Sequence, residues 1–257
     1  MLWNRHLLSP DDQVEWLFAT TRWLLESFGH DPAFHRRLVT PTEEDFPITA
    51  TGGHELAVQV FGMVQRHAGL SSWPCRLESQ GDVDTSEWLR DIGQGHLEQK
   101  GAAGTFSRRE EVVITYSERQ LGDLDGLIAT FAHELSHYLL FSAPTPPPGG
   151  PKALEPATDV GAVFLGFGIF LANTAFRFDQ FNTATGYGWS ASRLGYLGDQ
   201  ALAYTLAIFL SLRGESSKVA LRSLRPNPAA YFKAALKDLA RRRAEEVARL
   251  RELCPPN

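Results

Sequence analysis

A histidine pair with a glutamate between its members is the group in this sequence best suited to chemistry. His133, Glu134 and His137 form the pattern His-Glu-x-x-His within an apolar stretch. On a helix, the two imidazoles lie one turn apart on the same face and can bind one zinc ion. Glu134 can then reach a water on that metal and accept its proton. The pattern is short enough to arise by chance, so a third ligand at a suitable spacing decides its meaning.

A candidate third ligand is Glu155, which follows His137 by 18 residues. Catalytic zinc usually has three protein ligands and one open position, and two histidines with a glutamate are a known set. Glu155 and Asp159 are spaced i, i+4, so on a helix both can face the first motif. Asp159 is the candidate acceptor for the second N–H of a ligating imidazole, with His133 as the expected partner. Because Pro156 follows directly, Glu155 must lie at or near a helix start.

The two motifs together resemble those of the gluzincin clan of zinc metallopeptidases, in its thermolysin-like and minimal gluzincin families. The second motif of that clan is Glu-x-x-small-Asp, and residues 155–159 read Glu-Pro-Ala-Thr-Asp. The resemblance covers roughly residues 105–175. It implies two antiparallel motif helices, a strand bordering the substrate cleft, Zn²⁺ bound by the three candidate ligands, and peptide hydrolysis with Glu134 as general base.

Three other functions remain compatible with these residues. A zinc hydrolase could cleave an amide that is not a peptide. A regulatory protein could use the gluzincin scaffold to bind a partner, with little or no proteolysis. A structural zinc site is disfavoured by Glu134, because such a site needs no base beside an open position. The expected function is therefore a zinc metallopeptidase that acts on a peptide or protein substrate.

The donor that stabilises the oxyanion is less clearly marked. Metallopeptidases often place a Tyr, His or Arg donor opposite the metal. The sequence has no histidine after His137, which excludes a downstream histidine in this role. Arg193 and Tyr196 are the candidates, and the alternative is that both pack in the fold or face solvent.

Length and composition exclude several functional classes. The chain has 257 residues, 43% of them hydrophobic, which is enough for a packed core. The net charge of −5 favours neither nucleic acid nor an anionic membrane as a partner. The two cysteines, Cys75 and Cys254, form no disulfide framework and suit a reducing compartment. Residues 1–13 lack the apolar core of a signal peptide, so we expect a cytoplasmic protein.

The longest apolar run, residues 160–176, could be mistaken for a membrane-spanning segment. It has 17 residues with three glycines and Asn173, whereas a spanning helix needs about 20 apolar residues. It also begins directly after the proposed metal carboxylates. We therefore expect a buried helix at the centre of the domain and no membrane insertion.

The remaining pattern predicts an α+β fold that is mostly helical, with a small sheet beside the two metal-site helices. Alternating or β-branched runs predict strands at residues 75–80 and 112–116, and the second strand is expected to border the cleft. Capping signals and apolar periodicity predict helices through both motifs and elsewhere. These other helices are expected over residues 10–28, capped by Ser9, over 54–67 and 192–212, and from 227 onward, with a short turn near 33–38.

Three parts of the chain are expected. Residues 1–70 should form an N-terminal helical layer, residues 71–215 the catalytic core, and residues 216–257 a C-terminal helix packed on that core. The last helix carries Arg–Glu pairs spaced i, i+4, which predict a solvated charged face. These pairs are Arg241–Glu245 and Arg242–Glu246.

The connection between the two motifs, residues 142–151, reads Ser-Ala-Pro-Thr-Pro-Pro-Pro-Gly-Gly-Pro. Such a sequence cannot form regular structure and predicts a plain connector. Trp16 and Trp23 on the first helix are expected to be packing residues. His54, in a near-match to the zinc motif, and His96 are expected to be structural or surface residues.

Overall fold

The computed structural model describes residues 8–29, 37–80, 112–175 and 197–253. This part of the chain is mostly helical with a small two-stranded sheet, in agreement with the predicted α+β class. The predictions for Arg193, Tyr196 and His96 lie outside the described residues.

Helices provide most of the described structure. In chain order they are α1 (Asp11–Phe28), α2 (Gly53–Ala68), α3 (Leu124–Leu140), α4 (Leu154–Ala162), α5 (Asp199–Arg213), α6 (Ser217–Ser223), α7 (Pro226–Arg242) and α8 (Ala244–Arg251). Short 3-10 turns precede α3 at Glu118–Gly122 and α4 at Gly150–Ala153. After α4 the chain passes through a π-helical turn, Val163–Phe167, and stays helical to residue 175. The predicted helices through both motifs are therefore confirmed.

Strands β1 (Cys75–Gln80) and β2 (Val112–Ser117) pair in parallel, with Cys75 opposite Val112. The chain runs from β2 through the 3-10 turn directly into α3, which confirms the predicted order of strand, short loop and motif helix. Tyr116 on β2 is buried and packs edge-on against Phe131 of α3, with 6.0 Å between ring centroids. This contact holds the sheet against the helix that carries the first motif.

The two motif helices, α3 and α4, pack closely at a glycine. A Cβ atom added to Gly161 would lie 2.3 Å from Ser136 Oγ and 3.0 Å from Leu140 Cδ1, so a side chain at this position would force the helices apart. Only glycine permits the observed separation. One hydrophobic core surrounds this contact, and its side chains come from all three predicted parts of the chain.

The apolar run after Asp159 is buried from Val160 to Ala175, as predicted, but it is not a regular helix. Gly166 has φ 106°, and its carbonyl oxygen accepts a hydrogen bond of 2.9 Å from the Val39 N–H. A Cβ here would lie 2.5 Å from the Arg37 carbonyl oxygen. The π-helical turn therefore lies where residues 37–40 cross the helix.

By length and composition, the helical run Gly150–Ala175 could cross a membrane, with a mean hydropathy of 1.4 in its most apolar window. However, 83% of that window is buried inside the protein. Core packing therefore accounts for its apolar composition.

The C-terminal part differs from the single helix that was predicted. Arg243, with φ −122° and ψ 18°, separates α7 from α8, and α6 precedes them. The predicted solvated face is confirmed, because Arg241, Arg242 and Glu245 are exposed. The break places the members of Arg241–Glu245 and Arg242–Glu246 on different helices, so their i, i+4 spacing does not pair them. The observed pairs are Arg242 with Asp238 at 3.2 Å and with Asp11 at 3.0 Å, Arg243 with Glu246 at 2.8 Å, and Arg249 with Glu245 at 3.5 Å.

Two predicted helix starts are also wrong. Pro10 has ψ 148° and is the N-cap of α1, while Ser9 Oγ has no hydrogen-bond partner among the described residues. Helix α5 begins at Asp199. The Leu197 N–H donates to the Asp159 carboxylate and Gly198 has an extended backbone, so neither residue belongs to the helix. Of the predicted turn near residues 33–38, the described residues 37 and 38 are not helical.

Candidate metal centre

His133, His137 and Glu155 converge where α3 faces the start of α4. The Nε2 atoms of His133 and His137 each lie 3.3 Å from Glu155 Oε2. One potential ligand atom from each residue lies within 4.8 Å of the other two. The two imidazole rings are nearly perpendicular, with an interplanar angle of 82° and centroids 4.7 Å apart. Three donor atoms arranged in this way could hold a metal ion.

The position of Glu155 follows from the local sequence. It is the second residue of α4, and Pro156 is the third. A proline costs no hydrogen bond in this first turn, because the first four N–H groups of a helix have no intrahelical acceptor. The prediction that Glu155 lies at a helix start is therefore confirmed.

Asp159 fixes the orientation of His133. Asp159 Oδ1 accepts a hydrogen bond of 2.8 Å from His133 Nδ1, and Oδ2 accepts one of 2.7 Å from the Leu197 N–H. An ionised carboxylate can only accept, so His133 Nδ1 must carry a proton. Nε2 lies on the side of Glu155, where it donates to Oε2 in the protonated ring and offers its lone pair in the neutral ring. This is the atom and the tautomer that metal ligation needs.

Thr158 has the corresponding role for His137. Its Oγ1 lies 2.9 Å from the Leu154 carbonyl oxygen and 3.1 Å from His137 Nδ1. A hydroxyl has one proton, which it donates to the carbonyl, so it accepts from His137 Nδ1. Ser136 Oγ in turn donates to the Thr158 carbonyl oxygen at 2.8 Å. His137 Nε2 is therefore also directed towards Glu155, to which it donates when it carries a proton and beside which it offers a lone pair when it does not.

Thr158 occupies the small-residue position of the second motif, and its contact with His137 Nδ1 was not predicted from the sequence. One signal was available, because threonine within a helix commonly donates to the carbonyl four residues earlier. Its hydroxyl oxygen is then left as an acceptor. A hydroxyl three residues after the proposed ligand Glu155, next to Asp159, could have been considered as a partner of a motif histidine.

The electrostatics of the cluster favour a positive charge. Burial lowers the pKa of His133, but hydrogen bonds with Asp159 and Glu155 outweigh this and raise it to about 10. Burial raises the pKa of Glu155, but hydrogen bonds with His133 and His137 hold it well below its usual range. The carboxylates around the His133 ring thus stabilise a cation here, either a proton or a metal ion.

Beside the cluster lies a small pocket of about 50 Å³ that is partly open to solvent. His133 and the half-buried Glu134 both line it, so Glu134 borders the same space as one proposed ligand. The Thr130 hydroxyl accepts from Gln120 Nε2 at 2.7 Å, and the Thr174 hydroxyl donates to the Phe170 carbonyl at 2.8 Å. The other lining residues are Ala129, Asp159, Leu171, Ala175, Leu197 and Leu202. Apart from the carboxylates of Glu134 and Asp159 and the His133 ring, the described wall is uncharged and mostly apolar.

His54 is not part of this cluster. It is exposed, and its Nδ1 lies 3.0 Å from the Tyr116 hydroxyl, in agreement with the structural role expected for it. Arg193 and Tyr196 lie outside the described residues, so their proposed role as oxyanion donors stays a prediction.

Comparison of the chain with models of protein families, with curated proteins and with solved structures gives no match. Interpretation of the site therefore rests on the two motifs and on the geometry of the cluster.

Proposed function

We propose that this protein is a zinc-dependent metallopeptidase of the gluzincin type. The proposal is carried by one observation, the convergence of His133 Nε2, His137 Nε2 and Glu155 Oε2. Both Nδ1 atoms donate to acceptors outside the cluster, so both Nε2 atoms, the ligand atoms of neutral imidazoles, point into it. Three protein ligands leave a coordination position open, as in catalytic rather than structural zinc sites.

The chemistry of the donors supports zinc in particular. Two imidazole nitrogens and one carboxylate oxygen form a ligand set that zinc commonly takes in hydrolases. Magnesium and calcium prefer sites made of oxygen atoms alone. The orientation of the two rings by Asp159 and Thr158 is also the arrangement that usually surrounds metal-bound histidines.

The protein's own residues then have distinct roles in hydrolysis. A zinc ion bound here would polarise the scissile carbonyl and lower the pKa of a water molecule. Glu134, which borders the pocket, accepts a proton from the attacking water and passes it to the leaving amine. The apolar part of the pocket wall holds an apolar substrate side chain.

The experiment that tests this proposal is the substitution Glu134→Gln. Glutamine keeps the size of the side chain but cannot accept the proton. Hydrolysis of a substrate found in a peptide library should fall by a factor on the order of 10²–10⁴. Zinc content, measured by elemental analysis, should stay near one ion per chain, and thermal stability should not change.

A matched control is Glu55→Gln, the same change in the exposed near-match His54-Glu55. It should leave hydrolysis unchanged. Full activity in Glu134→Gln would exclude Glu134 as the base, and a wild-type protein that takes up no zinc would exclude the metal site. Cleavage of non-peptide amides, or partner binding without any cleavage, would favour the other functions compatible with this site.

A further inference from the structure

Two tryptophans of α1 bind the connector between the two motifs. Trp16 Nε1 donates a hydrogen bond of 2.8 Å to the Pro148 carbonyl oxygen. Trp23 Nε1 donates to Thr145, at 3.1 Å to its carbonyl oxygen and at 3.0 Å to its Oγ1. The two tryptophans are spaced i, i+7, so they lie two turns apart on one face of α1. The pair binds the connector at two points, and we refer to Trp16 and Trp23 as the indole clamp.

The connector has few other means of holding its shape. Five of its residues, Pro144, Pro146, Pro147, Pro148 and Pro151, have no backbone N–H and cannot donate hydrogen bonds. The described backbone hydrogen bonds donated from within it lie near its ends, from Ser142 and Ala143 to the end of α3 and from Gly150 to Pro147. The clamp supplies the missing donors from a different helix. It therefore fixes the middle of a segment that cannot fix itself.

The point held by Trp16 lies close to Glu155 along the chain. Only Gly149 separates Pro148 from the 3-10 turn Gly150–Ala153, which runs directly into α4. Gly149 has φ 92°, and a Cβ placed on it would lie 3.0 Å from Ala153 Cβ and 3.7 Å from Trp16 Nε1. A shift of Pro148 would therefore move the start of α4, where Glu155 is the second residue.

We infer that the indole clamp is a positioning device for the metal site, because it sets the start of α4 so that Glu155 meets the two histidines. This inference rests on the proposed function, in which Glu155 is the third ligand. A net hydrogen bond corresponds to about a 2- to 13-fold change in an equilibrium constant. Loss of both indole donors should therefore weaken zinc binding on the order of 10-fold.

A double-mutant cycle with the full-length protein tests how the clamp acts. Trp16→Phe/Trp23→Phe keeps aromatic rings but removes both N–H donors. Zinc affinity is measured by competition with a chromophoric chelator in this variant, in Glu155→Ala, and in the combination. The clamp variant should bind zinc about 10-fold more weakly than wild type, whereas adding the same changes to Glu155→Ala should have no further effect. Co²⁺ in the clamp variant should give visible bands shifted towards those of Glu155→Ala.

Tyr204→Phe is the control for a general loss of stability. Its hydroxyl is buried and donates a 2.7 Å hydrogen bond to Asp238 on α7, so its removal costs a buried hydrogen bond without contact to the metal cluster. This variant should unfold more easily and keep wild-type zinc affinity. If the double tryptophan variant does not fold, Trp16→Phe alone should show a smaller weakening that also disappears in the Glu155→Ala background.

The outcomes separate failure of the inference from failure of the proposed function. Wild-type zinc affinity in the clamp variant, or an equal weakening with and without Glu155, would overturn the inference. Wild-type affinity in Glu155→Ala would instead overturn the three-ligand site itself. A weakening that disappears without Glu155 would support both.

Discussion

Asp159 accepts a hydrogen bond on each carboxylate oxygen, and an asparagine in its place can accept only one of them. The donors are His133 Nδ1 at 2.8 Å and the Leu197 N–H at 2.7 Å. An asparagine side chain has one acceptor oxygen and one amide nitrogen that only donates. In Asp159→Asn, a donor must therefore face a donor unless His133 Nδ1 loses its proton.

Loss of the Nδ1 proton satisfies every group in the metal-free protein. The asparagine oxygen keeps the Leu197 N–H, and its amide nitrogen donates to His133 Nδ1. Nε2 keeps its proton and donates to Glu155 Oε2 at 3.3 Å. The charged pair between the His133 ring and Asp159 is lost, so the metal-free protein should unfold more easily than wild type. A separate cost arises on metal binding, because Nε2 must then give up its proton.

The size of this cost follows from the hydrogen bonds. Zinc binding must return the proton to Nδ1 and leave two buried donors facing each other. An unsatisfied buried donor costs about 1–3 kcal/mol. Since about 1.4 kcal/mol is a factor of ten, the zinc dissociation constant should rise about 5- to 150-fold. This range includes the roughly 10- to 100-fold loss usual when the carboxylate partner of a metal-bound histidine is removed.

The assay is chelator competition for zinc at neutral pH, together with urea denaturation of the metal-free protein. Asp238→Asn is a matched control, because Asp238 is also a buried carboxylate and accepts from Tyr204 at 2.7 Å and Arg242 at 3.2 Å. That variant should lose stability and keep wild-type zinc affinity. Wild-type zinc affinity in Asp159→Asn would refute the orienting role, and equal affinity losses in both variants would show that affinity only follows stability.

Two further predictions concern the fold around the site. Gly166→Ala should lower the free energy of unfolding by about 2–5 kcal/mol, because φ is 106° and the Cβ would lie 2.5 Å from the Arg37 carbonyl oxygen. Gly62→Ala is the control, because a Cβ at this position on α2 meets open space, and this variant should not destabilise the protein. Equal losses of unfolding free energy in the two variants, measured by urea denaturation, would contradict the close contact at Gly166. Burial raises the pKa of Asp45, but hydrogen bonds from Arg37 and Thr40 hold it below its ordinary value. The ionised Asp45 therefore stabilises the fold above about pH 4, and this contribution is lost as the pH falls through the lowered pKa. The difference in free energy of unfolding between wild type and Asp45→Asn should therefore shrink in acid. A difference that stays constant with pH would refute this prediction.

The features of the cluster that were predicted from the sequence are those that follow from local helix geometry. Spacing of i, i+4 on a helix puts His133 and His137 on one face in any regular helix, so the first motif needed no tertiary information. Pro156 restricted Glu155 to a helix start because proline is tolerated only in the first turn. The spacing of Asp159 from Glu155 similarly brought its carboxylate within reach of His133. Backbone periodicity thus decides which side chains share a face within each motif, whereas the packing of α3 on α4 brings the two motifs together.

The contacts that were missed depend on residues far apart in the sequence. Trp23 and Thr145 are 122 residues apart, and no local pattern indicates that an indole donates to that carbonyl. The backbone N–H of Leu197 approaches Asp159 across 38 residues, and this contact also shifted the start of α5 from its predicted position. The break at Arg243 has no proline or glycine to mark it. Such contacts are set by packing, which a periodic pattern does not contain.

The packing of α3 on α4 and the orientation of the proposed ligands depend on the same atoms. Gly161 has no side chain, so Ser136 Oγ can approach α4 and donate to the Thr158 carbonyl oxygen. That contact holds Thr158, whose hydroxyl accepts from His137 Nδ1. On the other side of the cluster, Asp159 joins His133 to the backbone at Leu197, just before α5. Each imidazole is thus oriented by a residue that also ties two segments together, so a change in helix packing should alter metal affinity before it unfolds the protein.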